Sequence, residues 1–184
     1  MNGNVYVLLA DGFEEIEALT PVDWLRRAGI DVTTVGVGGK VICGAHGIPV
    51  TADITEGELQ SDPADLSMVV LPGGMPGTNN LDAAPAVDAY LRLAAERDAY
   101  IAAICAAPMV LGKRGLLRGK RAVCYPGFEE HLAGATLAVG SAVVTDGKRI
   151  TAKAAGYAAE FAYALIGELA GDDAAQRVRD AVCP

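Results

Sequence analysis

The chain has 184 residues, with 15 lysines and arginines against 23 aspartates and glutamates, a formal charge of −8 and a pI near 4.7. That acidity excludes a general nucleic-acid binder, whose footprint is basic. At 52% hydrophobic and 21% charged residues the composition is that of a compact folded chain. Its longest apolar stretch, Tyr100 to Gly112, contains Pro108 and falls short of the ~20 residues a membrane span requires.

Taken in order, the chain opens on Met1-Asn2-Gly3-Asn4, which lacks the basic region of a secretory leader, so a cytoplasmic protein is expected. Asn4 to Ala10, Asp31 to Val37, Leu66 to Leu71 and Tyr100 to Ile104 are short, continuous, β-branched apolar runs. Strands buried on both faces read this way, which implies a parallel sheet. Between the first two, Glu14 to Ala28 spaces Ile16, Leu19, Val22 and Leu25 for a helix that stops at Gly29. Lys40 to Asp53 reads as strands around a Gly-rich turn. Pro85 to Arg97 repeats the helical spacing with Val87, Tyr90, Leu91 and Ala94. Ala142 to Ala152 predicts a hairpin turning at Asp146-Gly147, and Tyr157 to Ala170 and Asp173 to Val182 predict two helices separated by Gly171. The alternation of strand and helix predicts a doubly wound three-layer α/β sandwich, with one domain expected over residues 1–184.

In such a sheet the ligand crevice lies beyond the carboxyl ends of the strands. Three turns there carry chemistry. In YIAAICAAPMVLG a strand runs into Cys105 and a helix is expected directly after it, Pro108 being tolerated in its first turn. Ala103 and Ala107 supply the small flanks of a nucleophile elbow. A sulfur at a helix N-terminus is expected to have a lowered pKa, whereas a buried structural cysteine would be inert. In VVLPGGMPG the glycines Gly73 and Gly74 follow a strand, and their N–H groups are candidates for an oxyanion hole facing Cys105. The pattern is not a nucleotide loop. In ADGFEEIEALTPVDWLRRAG, Glu14 and Glu15 are expected to complement the helix dipole. Pro21 deprives the Glu17 carbonyl of its helical partner and predicts a kink that turns Glu17 toward the crevice.

The basic cluster Lys113, Arg114, Arg118, Lys120 and Arg121 is expected to be a solvated loop, and His131 a surface residue of a short turn. His46 and His131 are the only histidines, and nothing places either beside Cys105 within one chain. Cys43, Cys105, Cys124 and Cys183 are widely spaced without a CxxC pair, so neither a disulfide framework nor a structural zinc site is expected.

With AAICAAP around Cys105, VVLPGG, EEIEALTPVDWLRRAG and AAGYAAEFAYALIGEL in that order, the chain resembles the DJ-one/ThiJ/PfpI family over essentially its whole length. The resemblance implies a flavodoxin-like fold and a homodimer. It implies that Cys105 is the reactive elbow cysteine, that Glu17 is hydrogen-bonded to it, and that Gly74 and Ala106 supply backbone donors. One departure stands out: many relatives carry a histidine before a proline where this chain has Tyr125 in CYPGF. Tyrosine is a poor base at neutral pH, so peptidase chemistry through a Cys-His dyad is disfavoured. His46 aligns roughly with a basic residue that reaches the partner subunit's site in closer relatives. Family activities range over glyoxalase and deglycase action, redox sensing with chaperone function, and amidase chemistry. The expected reading is a cysteine-dependent glyoxalase or deglycase acting on small α-oxoaldehydes, with Glu17 protonated beside a thiolate, Tyr125 orienting the substrate, and no metal, nucleotide or flavin. Oxidation sensing at Cys105 and C–N hydrolysis are the alternatives.

Overall fold

The computed structural model describes residues 3–182, so Cys183 lies outside the described residues. In chain order it contains β1 (Asn4–Ala10), α1 (Glu15–Arg27), β2 (Asp31–Val37), the hairpin β3 (Val41–Cys43) and β4 (Pro49–Thr51), β5 (Ile54–Thr55), β6 (Leu66–Leu71), α2 (Gly77–Ala83), α3 (Pro85–Glu96), β7 (Tyr100–Ile104), α4 (Pro108–Lys113), β8 (Arg121–Ala122), β9 (Thr136–Leu137), β10 (Val143–Asp146), β11 (Arg149–Ala152), α5 (Ala158–Ala170) and α6 (Asp172–Val182). Seven strands form the central sheet in the order β10-β11-β7-β6-β1-β2-β5. Every pairing in it is parallel except the β10–β11 hairpin.

Strand alternation divides the core between the two faces of the sheet. Val5, Val7 and Leu9 of β1 join Met68, Val70, Ala102 and Ile104 beneath α1, α5 and α6. Tyr6, Leu8 and Ala10 join Val69, Leu71, Ile101 and Ala103 beneath α2, α3 and α4. Apolar burial on both faces is what the unbroken β-branched runs require. The helix after β1 covers one face and the helices after β6 cover the other, so the chain diverges between these neighbouring strands and opens a crevice at their carboxyl ends.

Several expectations shift in detail. The buried stripe of α1 is Ala18, Val22 and Leu25, while Ile16 is 50% exposed because it lies about 200° around the helix from Ala18. α1 runs on through Pro21 as one helix. In the β10–β11 hairpin Asp146 pairs with Arg149, so the turn is Gly147-Lys148, one residue later than the Asp-Gly signal predicts. Asp146 stays in the ladder because its carboxylate accepts the Arg121 N–H at 2.8 Å and lies 3.3 Å from Lys120 Nζ. α2 has no periodic signal in its sequence, GTNNLDA. It is held by tertiary contacts: Asn80 Nδ2 donates to the Asp11 carbonyl at 2.8 Å, and Asp82 pairs with both Lys113 and Arg114 at 2.6 Å. The expected solvated basic loop is thus partly an ion-pair clamp, with Arg114 largely buried between Asp82 and Asp88. No described helix is long and apolar enough to cross a membrane.

Candidate active site

Three adjacent strands deliver the residues that meet in the crevice: β7 ends at Ile104 just before Cys105, β6 at Leu71 just before Pro72 and Gly73, and β1 leads into α1 and Glu17. Cys105 opens the three-residue turn between β7 and α4 with φ +66°, a backbone conformation that β-carbon sterics disfavour and that marks a sharp elbow. Ala103 and Ala107, the small flanks, are fully buried. Two hydrogen bonds lock the elbow. The Cys105 N–H donates to the Ala152 carbonyl at 2.9 Å, and its carbonyl accepts the Tyr125 N–H at 2.7 Å.

Glu17 is 0% exposed. Its Oε2 accepts the Gly73 N–H at 2.9 Å, and its Oε1 has no partner of ordinary hydrogen-bond geometry. Gly73 has to be glycine, since a Cβ there would stand 2.5 Å from Glu17 Oε2 and 2.6 Å from the Cys105 Cβ. Gly74 adopts φ +88°, and a Cβ on it would stand 2.3 Å from the Glu14 nitrogen. The Gly74 and Ala106 N–H groups act on the Cys105 thiol and pull its pKa down. The structure therefore brings Cys105, Glu17, Gly73, Gly74 and Ala106 together.

Electrostatics corrects one expectation and supports another. Burial pushes the Glu17 carboxyl up to about 7, against the lowering pull of the thiol and the Gly73 N–H. Burial and then the Glu17 charge push the Cys105 thiol up to about 12, and the Ala106 and Gly74 N–H groups offset only part of this. This upward push opposes the lowering expected of a helix N-terminus, for a physical reason. α4 begins only at Pro108, so the sulfur meets two amides and a carboxyl in a desolvated site rather than the end of a helix. The desolvated site thus pushes both thiol and carboxyl toward their protonated forms.

The remaining predicted residues stand around this centre. Tyr125 is tied to the elbow through its backbone, and its side chain is 46% exposed. His46 lies on the loop between β3 and β4, with Nδ1 2.9 Å from Glu15 Oε2 and 3.5 Å from Glu14 Oε2. Within the chain it faces the start of α1 rather than the sulfur. Glu15 does more than complement a dipole. It is buried, and its Oε1 accepts the His46 N–H at 2.8 Å and the Ile48 N–H at 3.4 Å. Burial opposes its ionisation, but the His46 ring and backbone N–H groups outweigh burial and hold its pKa below the ordinary value. The same contact and the two carboxylates raise the pKa of His46. The signal for this role lay in Gly44, where a Cβ would stand 2.3 Å from the Glu15 carboxyl. His131 closes a short turn and is only partly exposed. Cys43, Cys105 and Cys124 are free thiols.

Comparison with known proteins follows from this geometry. The model of the DJ-1/PfpI family matches residues 3–168. The chain is 39% identical over 180 residues to the Drosophila melanogaster protein dj-1beta, spanning 97% of this chain and 95% of that one. It is 32% identical over 153 residues to a Pyrococcus abyssi protein named a deglycase, spanning 83% and 90%. The crystal structure of Drosophila melanogaster DJ-1beta superposes with a TM-score of 0.93 at 37% identity, covering 99% of this chain and 98% of that one. An oxidized Toxoplasma gondii DJ-1 superposes with a TM-score of 0.87 at 31% identity, covering 98% and 97%. On the match of sequence and fold along nearly its full length, this chain belongs to the DJ-1/PfpI family.

Proposed function

We propose that the protein is a cofactor-independent glyoxalase or deglycase that converts small α-oxoaldehydes, free or released from their adducts, to hydroxy acids. One observation carries this reading: a fully buried carboxyl, raised to about 7, lies against a thiol on which two backbone N–H groups converge. The Glu17 carboxylate takes the Cys105 proton as the sulfur adds to the aldehyde carbon, forming a hemithioacetal whose oxygen is held by the Gly74 and Ala106 N–H groups. Glu17 passes the thiol proton to that oxygen and, a carboxylate again, moves a proton from the former aldehyde carbon to its neighbour through an enediol. This internal redox step leaves a thioester and reduces the ketone to an alcohol without an external oxidant. Water cleaves the thioester to the hydroxy acid and restores the thiol. A carboxyl that titrates near neutrality suits both transfers, since it is available as base and as acid at the working pH. Tyr125, whose backbone is tied to the elbow, is assigned the hydroxyl that orients the substrate.

The test is lactate formation from methylglyoxal without glutathione or added metal, with Cys105→Ser and Glu17→Gln as controls. Turnover by the wild type that both variants abolish supports the reading, and an inactive wild type overturns it.

A second reading rests on the same sulfur. The likeness to an oxidized Toxoplasma gondii DJ-1 supports oxidation of Cys105 as a stress signal. The raised thiol pKa favours base-assisted catalysis over direct attack of a free thiolate on peroxide. Mass spectrometry after peroxide treatment decides: selective addition of oxygen to Cys105 without aldehyde turnover favours the sensor. The chain is further read as a cytoplasmic homodimer. Ile16 and Ile48, 50% and 52% exposed, flank the Glu15–His46 pair as an uncovered apolar surface. Sedimentation at twice the 18.9 kDa chain mass checks the oligomeric state.

A further inference from the structure

A cavity of about 130 Å³ lies behind the elbow, between the segment that follows β8 and the segment that follows β9. Its walls are apolar, formed by Val123, Ala138, Leu137, Val139 and the buried thiol of Cys124. At its rim Val139 is 94% exposed and Leu137 42%, apolar surface that the fold leaves uncovered. Lys153 lines the cavity on one side. Its backbone is pinned by donation to the Ala142 carbonyl at 2.9 Å, and its side chain is part-buried. Among the described residues its ammonium has no ion-pair or hydrogen-bond partner. Glu129 lines the other side but is solvent-exposed, and its Oε2 is engaged by the Gly127 N–H at 2.7 Å. Glu129 thus has a donor and its charge raises the pKa of the Cys124 thiol at the cavity wall, whereas the Lys153 ammonium has no partner among the described residues. The cavity's unanswered charge is positive in a chain whose net charge is −8.

We propose that this cavity is a binding site for a small monocarboxylate with a short apolar tail. Lys153 pairs with the carboxylate, and the tail lies against Val123, Ala138 and Val139. Size supports the assignment: an apolar cavity of about 150 Å³ admits benzene, which has the same number of heavy atoms as butyrate. The site is separate from the crevice that holds Cys105 and Glu17. It borders the elbow nonetheless, because Cys124 adjoins Tyr125 and Lys153 adjoins Ala152, the two residues hydrogen-bonded to the Cys105 backbone.

The experiment is an NMR titration of the full chain with butyrate, with butanol at matched concentration and ionic strength as the neutral probe. Saturable shifts centred on the amides of Val123, Ala138 and Val139 are expected. Affinity should fall about tenfold in Lys153→Met, about tenfold for butanol, and not at all in Cys105→Ser. Filling the cavity with Ala138→Leu should abolish the shifts while the protein stays folded. No saturable shift, or an affinity within about twofold in Lys153→Met, overturns the proposal. So do shifts centred on Gly73, Gly74 and Ala106 that vanish in Cys105→Ser, since they place the acid in the catalytic crevice as a product.

Discussion

Glu15 and Glu17 stand two positions apart on α1, exposed by only 4% and 0%, yet their pKa values move in opposite directions. Burial opposes ionisation in both. Glu15 receives the His46 ring, the His46 N–H and the more distant Ile48 N–H, and it remains a carboxylate that anchors the β3–β4 loop. Glu17 receives one N–H and faces a thiol, with Oε1 left over, so its carboxyl titrates near 7. Glu17 lies deeper among its neighbours and receives fewer donors, and the two together separate a structural anion from a group able to exchange protons.

The sharpest way to break this comparison is catalytic. Cys105→Ser and Glu17→Gln should each lower kcat/KM for methylglyoxal by about a thousandfold or more, whereas Glu15→Gln should cost less than about tenfold. Steady-state kinetics decide, and equal losses at positions 15 and 17 would erase the distinction.

The pH dependence of stability comes next. Folded Glu17 holds its proton more tightly than unfolded Glu17, so its contribution is full below about 4.5 and is lost as the pH rises through about 7. The full swing is about 3 kcal/mol. Denaturant titrations from pH 4 to 8 should show Glu17→Gln gaining on the wild type by that order, and parallel curves would refute the raised pKa.

Gly73→Ala probes the space between the two groups. Its methyl would collide with both Glu17 and Cys105, so a loss of about 1–3 kcal/mol is expected by thermal unfolding, together with loss of turnover. The smallest effect belongs to the other glutamate. Glu15→Gln should lower the His46 titration midpoint toward the ordinary value of about 6.5, read from its ring proton shifts, and an unmoved midpoint would show that Glu15 does not set it.

Much of this architecture is legible in the sequence. The four apolar runs appear as β1, β2, β6 and β7 at the predicted bounds, because a strand buried on both faces needs uninterrupted apolar residues. The elbow is legible in the small flanks of Cys105 and the glycine pair after β6. α2 is not legible: Gly77, Thr78 and two asparagines have poor intrinsic helix propensity, and ion pairs to Lys113 and Arg114 hold what propensity does not. The sequence reading also gives Ile16 to the core, but the helix phase is set by what α1 packs on.

The sequence by itself determined the family, through the resemblance of its motifs, and the parallel sheet and the placing of Cys105 and Glu17 after its strands, which depend on local patterns of apolarity and turn residues. Only the tertiary structure decided that a buried Glu15 is held toward its anion, that the Glu17 carboxyl is pushed up to about 7 and that the thiol is pushed up with it. Protonation is set by desolvation and by donors arriving from distant segments, Gly73 and the His46 loop among them. No pattern along the chain records those distances.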